Sequence, residues 1–395
     1  MTGYADLRTH PEALADGGWW AVAAEFDGPW HAWRFANVEH HAGEPARVEH
    51  TGAYAEPSKN TASPANAAPG KNAASGQDAP AEAAADDGAR PGDGGGRSGV
   101  RGEEWDGPAR GSWRSSMNQE QYVSAVSAVR EYIRAGDVYQ ANICRVMSAP
   151  ERVRPDAGAL ARLLGTGNPA PYAGFIDVPG NSGSSGGAAG APWPAAWIVS
   201  ASPELGTQVA AGRISSGPIK GTAATAEGLS EKDRAENLMI TDLVRNDLHQ
   251  VCLPGTVAVT DLLAVEHHPG LVHLVSRVRG QLRARDLNAG GGAGWAQVFA
   301  ATHPPGSISG APKTAALAII DELEPADRGP YCGQIGWIDA DAQRARLAVG
   351  IRTFWWTRGR LLFGTGAGIT YDSDPQQEWA ETELKAARLV GLASR

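Results

Sequence analysis

A lysine and a glutamate in the middle of the chain have the residue types and spacing for nucleophilic and acid–base chemistry. Lys220 lies in residues 218–222 (PIKGT), a predicted tight turn. An amine acts as a nucleophile there if partial burial or a nearby cation lowers its pKa. Sixteen residues earlier, Glu204 ends an apolar run that is predicted to be a strand. The two side chains can therefore face one pocket, although such a pair is more often a solvated ion pair than a catalytic one.

Two predicted helices each present carboxylates one turn apart on a single face. They are Asp233 and Glu236 on the helix that follows Ser230, and Glu378 and Glu381, with Lys385, on a helix over residues 375–390. Alone, each stripe is typical of a solvated helix face. Together, the two helices form an oxygen-rich site that suits Mg²⁺, which binds a few carboxylates and keeps water and substrate oxygens.

Two glycine-rich segments, both predicted to be loops, accompany these helices. Residues 364–368 (GTGAG) precede the last helix, and residues 306–313 (GSISGAPK) precede a helix predicted from Thr314. Glycine lets the backbone approach a ligand closely, and N–H groups at a helix N-terminus attract an anion. The second segment lacks the residue order of a phosphate-binding P-loop, so the predicted ligand is a metal-bound carboxylate.

The overall composition excludes several classes of partner. The chain has 395 residues and a net charge of −9, so it has no basic field to hold nucleic acid or an anionic membrane. It contains no apolar run of about 18 residues and no secretory signal, which predicts a cytoplasmic protein. Cys144, Cys252 and Cys332 form no Cys-x-x-Cys pair and are predicted to be buried free thiols.

Three regions are predicted along the chain. Residues 1–42 contain a β-hairpin, indicated by alternating aromatic and small residues around Asp27-Gly28. Residues 43–112 are almost free of large aliphatic side chains and are predicted to be a disordered insertion. Residues 113–395 carry the candidate catalytic and metal-binding residues and form one domain with residues 1–42, with a long hairpin loop at residues 180–196. The predicted helices cover residues 118–135, 230–249 and 375–390, and the predicted strands residues 137–146, 172–178, 197–200, 333–338, 346–354 and 361–364.

The motifs, in this order, resemble those of the chorismate-utilising enzymes, and among these the aminodeoxychorismate synthases component I. The resemblance covers about residues 117–390. It rests on residues 136–142 (GDVYQAN), 202–204 (SPE), 218–222 (PIKGT), 236–248 (ENLMITDLVRNDL), 273–276 (HLVS), 306–313 (GSISGAPK), 331–333 (YCG), 350–353 (GIRT) and 366–368 (GAG).

The resemblance implies a fold and a reaction. The fold is a large α/β (α+β) domain in which two antiparallel sheets pack as a sandwich flanked by helices. Water-adding relatives have a lysine base where this chain has Gln140, and anthranilate synthases have alanine at the position of Lys220. Both positions favour amination of chorismate to 4-amino-4-deoxychorismate. Anthranilate synthase component I and a catalytically silent, partner-binding relative remain the alternatives.

The resemblance also implies a role for each site residue. Lys220 is the nucleophile, Glu204 the acid and base, and Gln140 a substrate-site amide. Glu236 and Glu381 bind Mg²⁺, and Asp233 and Glu378 support it through water. The remaining expected substrate contacts are Gly310, Gly366, Arg352, Tyr331, Lys385 and, unless it is a core histidine, His273. None of the three cysteines fits a glutaminase, so a separate glutamine amidotransferase subunit is expected to supply ammonia.

Overall fold

The computed structural model describes residues 1–38, 104–180, 194–268, 271–285, 287–288 and 294–395. Residues 1–49 and 102–395 form one compact unit. Most of the predicted disordered insertion, residues 43–112, and of the predicted loop at residues 180–196 lies outside the described residues. The end of the insertion is nevertheless packed, since Trp105 Nε1 donates to the Ala393 carbonyl over 3.1 Å and Asp106 pairs with Arg395 at 3.0 Å. Trp105 and Asp106, which fall within the predicted insertion, therefore pack against residues 393–395.

Two antiparallel sheets dominate the described residues, as the resemblance implied. In order across the first sheet, the strands are β1 (Gly3–Asp6), β3 (Trp30–Phe35), β2 (Trp19–Ala24), β14 (Gln334–Asp339), β15 (Arg344–Val349), β8 (Leu205–Ala210), β9 (Arg213–Gly217), β12 (Leu271–Gln281) and β10 (Ile219–Ala223), with β11 (Ala258–His268) also paired to β12. Strands β2 and β3 form the hairpin predicted near the N-terminus.

The second sheet contains the glycine segment 364–368, which lies in one of its strands. Its strands are, in order, β13 (Gly310–Ala311), β5 (Gln140–Pro150), β17 (Arg360–Ile369), β16 (Thr353–Thr357), β7 (Ala196–Ser202) and β6 (Tyr172–Val178), with β4 (Arg114–Ser115) paired to β5. The sheets pack face to face, because one cluster of buried side chains joins Ala23 and Ile335 of the first sheet to Val146 and Ile198 of the second.

Helices cover the outer faces of the sandwich. They are α1 (Gln119–Ala135), α2 (Ala157–Gly167), α3 (Glu231–His249), α4 (Trp295–Thr302), α5 (Lys313–Leu323) and α6 (Pro375–Leu392). Helices α3 and α4 pack on the first sheet, and α2 and α6 on the second. No helix among the described residues has both the length and the apolarity to cross a membrane.

Capping residues set the helix boundaries as the sequence predicted. Asn118 and Gln121 form a capping box at the start of α1, and Gly136 ends that helix with a left-handed φ of 86°. Ser230 and Asp233 form the same device at the start of α3. Asp374 caps α6 by accepting from two backbone N–H groups. These side chains satisfy backbone donors that have no partner within a helix.

Three expectations about strands were wrong. The predicted strand over residues 346–354 is two strands, β15 and β16, in different sheets, because the chain crosses between the sheets at Arg352, whose φ is 52°. The glycine segment 364–368 is not a loop but part of β17, paired along its length with β5. The predicted turn at Lys220 is part of β10, which pairs with β12.

Candidate active site

Two crossings between the sheets bring Glu204 and Arg352 to the same end of the sandwich. Glu204 lies between β7 of the second sheet and β8 of the first, and Arg352 lies between β15 and β16. Backbone hydrogen bonds join the crossings, from Val349 N–H to the Glu204 carbonyl and from Ala201 N–H to the Arg352 carbonyl, each 3.0 Å long. The positive charge of Arg352 acts to lower the pKa of Glu204, and the negative charge of Glu204 acts to raise the pKa of Arg352, so each favours the charged form of the other.

Glu204 is buried, with only 4% of its surface exposed. The Ser307 hydroxyl donates to its Oε1 over 2.7 Å, and the Ile219 backbone N–H donates to the same carboxyl group. Burial raises the pKa of Glu204 from 4.5 to about 7, although these hydrogen bonds and the charges of Lys220 and Arg352 favour the carboxylate. A carboxyl group with this pKa can both donate and accept a proton near neutral pH.

Lys220 lies between that acid and the carboxylates of the two helices. Its positive charge favours the ionised forms of Glu204, Glu236 and Glu381. A Cβ atom at Gly368 would lie 3.2 Å from Lys220 Nζ, so the amine points at the glycine-rich end of β17. The structure therefore brings Lys220 and Glu204 into one site.

Gln140 borders the same space. It is fully buried, and its Nε2 donates to Asn142 Oδ1 over 3.0 Å. Its Oε1 is buried without a hydrogen-bond partner among the described residues. A Cβ at Gly368 would lie 2.5 Å from Gln140 Nε2 and 2.9 Å from Asn142 Oδ1. Because glycine has no side chain, position 368 leaves a space into which Gln140, Asn142 and Lys220 all point.

Gly310 and Gly366 make close backbone contacts rather than open space. Gly310 has a φ of 142°, and a Cβ there would lie 2.2 Å from the Gln140 carbonyl oxygen. A Cβ at Gly366 would lie 2.5 Å from Cys144 Sγ. The Gly366 carbonyl accepts from Lys385 Nζ over 3.1 Å, which fastens α6 to β17. The two glycines therefore allow β13 and β17 to lie close to β5, one on each side of it.

The predicted metal ligands lie where α3 and α6 meet. Glu378 is buried, and Lys232 Nζ lies 3.3 Å from Glu378 Oε1 and 3.7 Å from Glu236 Oε1. Burial raises the pKa of Glu236, and the negative charges of Glu378 and Glu381 add to that effect. Burial acts in the same direction on Glu381, but its ion pair with Lys385, at 2.6 Å, holds the pKa of Glu381 below the usual value.

Asp233 has a structural role at the same junction. Its Oδ2 accepts from the Ser230 backbone N–H over 2.8 Å and from the Ser230 hydroxyl over 2.7 Å. Its Cβ packs against Gly221, beside Lys220. Asp233 therefore fixes the first turn of α3 against β10.

The donor set at this junction suits Mg²⁺ but is not arranged as a finished cage. Among the described residues, no three acidic, histidine or cysteine side chains converge closely enough to hold a metal ion. Glu236 and Glu378, from different helices, nevertheless direct oxygens at one cation, the Lys232 ammonium. Mutually repelling carboxylates around one position are the hard oxygen ligands that Mg²⁺ prefers.

A pocket next to Glu204 contains Arg352 and His273. His273 is buried, and its Nδ1 lies 2.8 Å from the Thr222 hydroxyl on β10. Burial lowers the pKa of His273 to about 3, and the positive charges of Arg352 and His268 contribute. The imidazole is therefore neutral at physiological pH and lines the pocket as a polar wall.

Tyr331 lies apart from that pocket. It is buried in the core between the sheets with Cys144 and Cys332. A Cβ at Gly364 would lie 2.0 Å from its ring, so the ring packs directly on β17. Cys144, Cys252 and Cys332 are all buried free thiols, as predicted.

Several residues of the site were not singled out from the sequence. Ser307 and Asn142 lie within quoted motifs, but nothing in those motifs indicates a hydrogen bond to Glu204 or Gln140. Lys232, Arg388 and Asn168 lie outside the recognised functional positions. Their roles depend on contacts between distant elements, which spacing along the chain does not reveal.

Comparison with known proteins places this site in a family. The family described as chorismate binding enzyme matches residues 76–391. The chain is 37% identical over 291 residues to aminodeoxychorismate synthase component 1 of Klebsiella aerogenes, covering 71% of this chain and 59% of that protein. It is 38% identical over 291 residues to anthranilate synthase component 1 of Saccharolobus solfataricus, covering 69% and 62%.

A solved structure agrees. Anthranilate synthase component I from Streptococcus pneumoniae TIGR4 superimposes with a TM-score of 0.60 at 30% identity, covering 73% of this chain and 61% of that one. The chain spans only 59–62% of the length of these two curated relatives. The matched residues include every motif of the site, and the chain belongs to the family of chorismate binding enzymes.

Proposed function

We propose that this protein is an aminodeoxychorismate synthase component I, which converts chorismate and ammonia to 4-amino-4-deoxychorismate. The observation that carries the proposal is the Lys220 amine beside Glu204, whose buried carboxyl group has a pKa of about 7. The neighbouring Gln140 is a neutral amide and cannot deprotonate water. Relatives named as aminodeoxychorismate synthases support the proposal.

The reaction consists of two allylic displacements. In the first, the Lys220 ammonium gives a proton to the Glu204 carboxylate, the resulting amine attacks ring carbon 2, the double bond shifts, and the carbon 4 hydroxyl leaves as water with that proton. In the second, ammonia attacks carbon 4, the double bond shifts back, and the lysine nitrogen leaves carbon 2. Glu204 then accepts the proton that the new amine releases. Two displacements divide one difficult step into easier ones.

Magnesium would be held at the junction of α3 and α6. Glu236 and Glu381 would be direct ligands, with Glu378 and Asp233 acting through water. The ion would neutralise and orient the ring carboxylate of chorismate when bound. Lys385 contacts both the Glu381 carboxylate and the Gly366 carbonyl, so it holds the Glu381 side chain in place on β17.

The ammonia would come from a separate glutamine amidotransferase subunit in the cytoplasm. Free ammonia is mostly protonated at neutral pH and then has no lone pair, so delivery of the neutral molecule favours the second displacement. The product would feed p-aminobenzoate and folate synthesis or a specialised metabolite.

Anthranilate synthase component I is the second candidate. Relatives with that name are 38% identical to this chain, a value close to the 37% of the aminodeoxychorismate synthase. That reaction also removes the enolpyruvyl group as pyruvate and has no evident need for Lys220.

Product analysis distinguishes the candidates. Purified protein is incubated with chorismate, Mg²⁺ and an ammonium salt, with and without added aminodeoxychorismate lyase. We expect p-aminobenzoate only when the lyase is present. Direct formation of fluorescent anthranilate would establish the second candidate instead, and the absence of any turnover would indicate a catalytically silent relative.

A further inference from the structure

The pocket beside Glu204 is rich in hydrogen-bond donors. Among the described residues, the polar side chains that line it are those of Arg352, Arg388, His268, His273 and Asn168, and none is a carboxylate. Prolines and a leucine form the rest of the wall. A concave site with positive groups on an apolar wall selects a small organic anion.

Two guanidinium groups from different parts of the fold meet in this pocket. Arg352 comes from the crossing between the sheets and Arg388 from the last turns of α6. Burial lowers the pKa of Arg352, and the positive charge of Arg388 lowers it further. Two cations held this close repel each other, and an anion between them relieves that repulsion.

Two further polar side-chain atoms of this pocket have no hydrogen-bond partner among the described residues. These atoms, Asn168 Nδ2 and His268 Nε2, are both buried. The His268 side chain is 9% exposed, and its Nε2 is 3.9 Å from the nearest carboxylate oxygen, on Glu266. A buried polar atom without a partner is unfavourable, so such atoms indicate a site completed by a ligand.

We propose that Arg388 and Asn168 are specificity-determining residues that hold the enolpyruvyl carboxylate of chorismate together with Arg352. These three side chains form a carboxylate clamp, and this inference rests on the proposed function. One guanidinium binds a carboxylate through two parallel hydrogen bonds. A second guanidinium and an amide N–H can engage the remaining lone pairs of the same two oxygens.

Arg388 also has a contact that a purely structural role would explain. Its Nη2 donates to the Gly167 carbonyl at the end of α2. A structural role predicts that loss of Arg388 lowers stability alone. The clamp predicts that it lowers affinity for chorismate, so binding and stability must be measured separately.

The test is calorimetric titration of chorismate into the Mg²⁺-loaded protein without ammonia, for wild type, Arg388→Gln, Asn168→Asp and Arg245→Gln. Loss of a charge-assisted hydrogen bond should raise the chorismate Kd about tenfold or more in Arg388→Gln. Asn168→Asp should raise it similarly, because it places a negative charge against the substrate carboxylate. Arg245 pairs with Asp242 on the exposed side of α3 and serves as the charge-matched control, with a Kd close to wild type.

Steady-state kinetics provide a second measurement. Arg388→Gln should raise the KM for chorismate and leave the KM for ammonium unchanged. A wild-type Kd in Arg388→Gln with a lowered melting temperature would establish the structural role and overturn the clamp. Wild-type protein that binds chorismate but forms no aminated product would contradict the proposed function, and the Kd values of the variants would still decide the clamp.

Discussion

Replacing Glu204 by glutamine should remove a pH-dependent instability from the folded protein. Burial raises the pKa of Glu204 from 4.5 to about 7, so the folded state binds this proton more tightly than the unfolded state. Stability is therefore lost as the pH rises from the unfolded pKa through the folded one. At about 1.4 kcal/mol per pKa unit, the loss between about pH 5 and about pH 8 is about 2.5 kcal/mol. Glutamine is nearly the same size and stays neutral throughout.

Urea denaturation at about pH 5 and about pH 8, followed by tryptophan fluorescence, measures this effect. Relative to wild type, the unfolding free energy of Glu204→Gln should increase by about 2.5 kcal/mol from the lower to the higher pH. Other titrating groups are common to both proteins and cancel in the difference. Glu120→Gln, at an exposed position on α1, should show no such change. The reasoning would be refuted if the unfolding free energies of Glu204→Gln and wild type differed by the same amount at both pH values. Glu204 would then have the same pKa in the folded and the unfolded state.

Three further predictions concern the rest of the site. Lys220→Ala should abolish aminodeoxychorismate formation. It should also abolish the covalent adduct that mass spectrometry detects when wild-type enzyme is mixed with chorismate without ammonia and then quenched. Near-normal turnover of the variant would show that Lys220 is only a positioning charge. Glu236→Gln should raise the Mg²⁺ concentration that half-saturates chorismate binding, and a wild-type Mg²⁺ dependence would contradict the metal assignment. Gly310→Ala should lower the free energy of unfolding by about 2–3 kcal/mol, since alanine is strained at a φ of 142° and its Cβ would lie 2.2 Å from the Gln140 carbonyl; unchanged stability in urea would show that β13 moves freely.

Local chemistry predicted the ends of α1, α3 and α6 well because a few neighbouring residues decide each of these ends, whereas α2 and α4 were not predicted from the sequence. The capping boxes at Asn118 and Ser230 and the aspartate before Pro375 need no knowledge of the rest of the fold. The fold class came from the resemblance, since period-2 strands fit many sheet architectures. The strands near the site were harder to predict. Strands β15 and β16 form one continuous β-rich run in sequence, and only the backbone at Arg352 separates them into two sheets.

The site was predictable only in part, for a related reason. Motifs identified Lys220 and Glu204, and the structure brings them together. Gly366 remains a predicted substrate contact, and the sequence did not indicate that its lack of a side chain also accommodates Cys144. Two donors of the proposed clamp, Asn168 just after α2 and Arg388 on α6, are more than 200 residues apart, and Asn168 carries no chemical signal in the sequence. Such contacts depend on tertiary packing alone.

Charge is arranged in order through the site. Carboxylates lie at the junction of α3 and α6, Lys220 and Glu204 lie next, and Arg352 and Arg388 follow, each group interacting with its neighbour. In the proposed function, a substrate with two carboxylates would bridge the proposed metal-binding end and the cationic end, and its ring would lie at the lysine and the acid. Distant substitutions usually have additive effects. Here Glu236→Gln and Arg388→Gln act on opposite ends of one rigid ligand. Once the contacts at one end are removed, the other end holds a ligand that is no longer oriented. The chorismate Kd of the double variant should therefore be lower than the value obtained by multiplying the Kd increases of the two single variants.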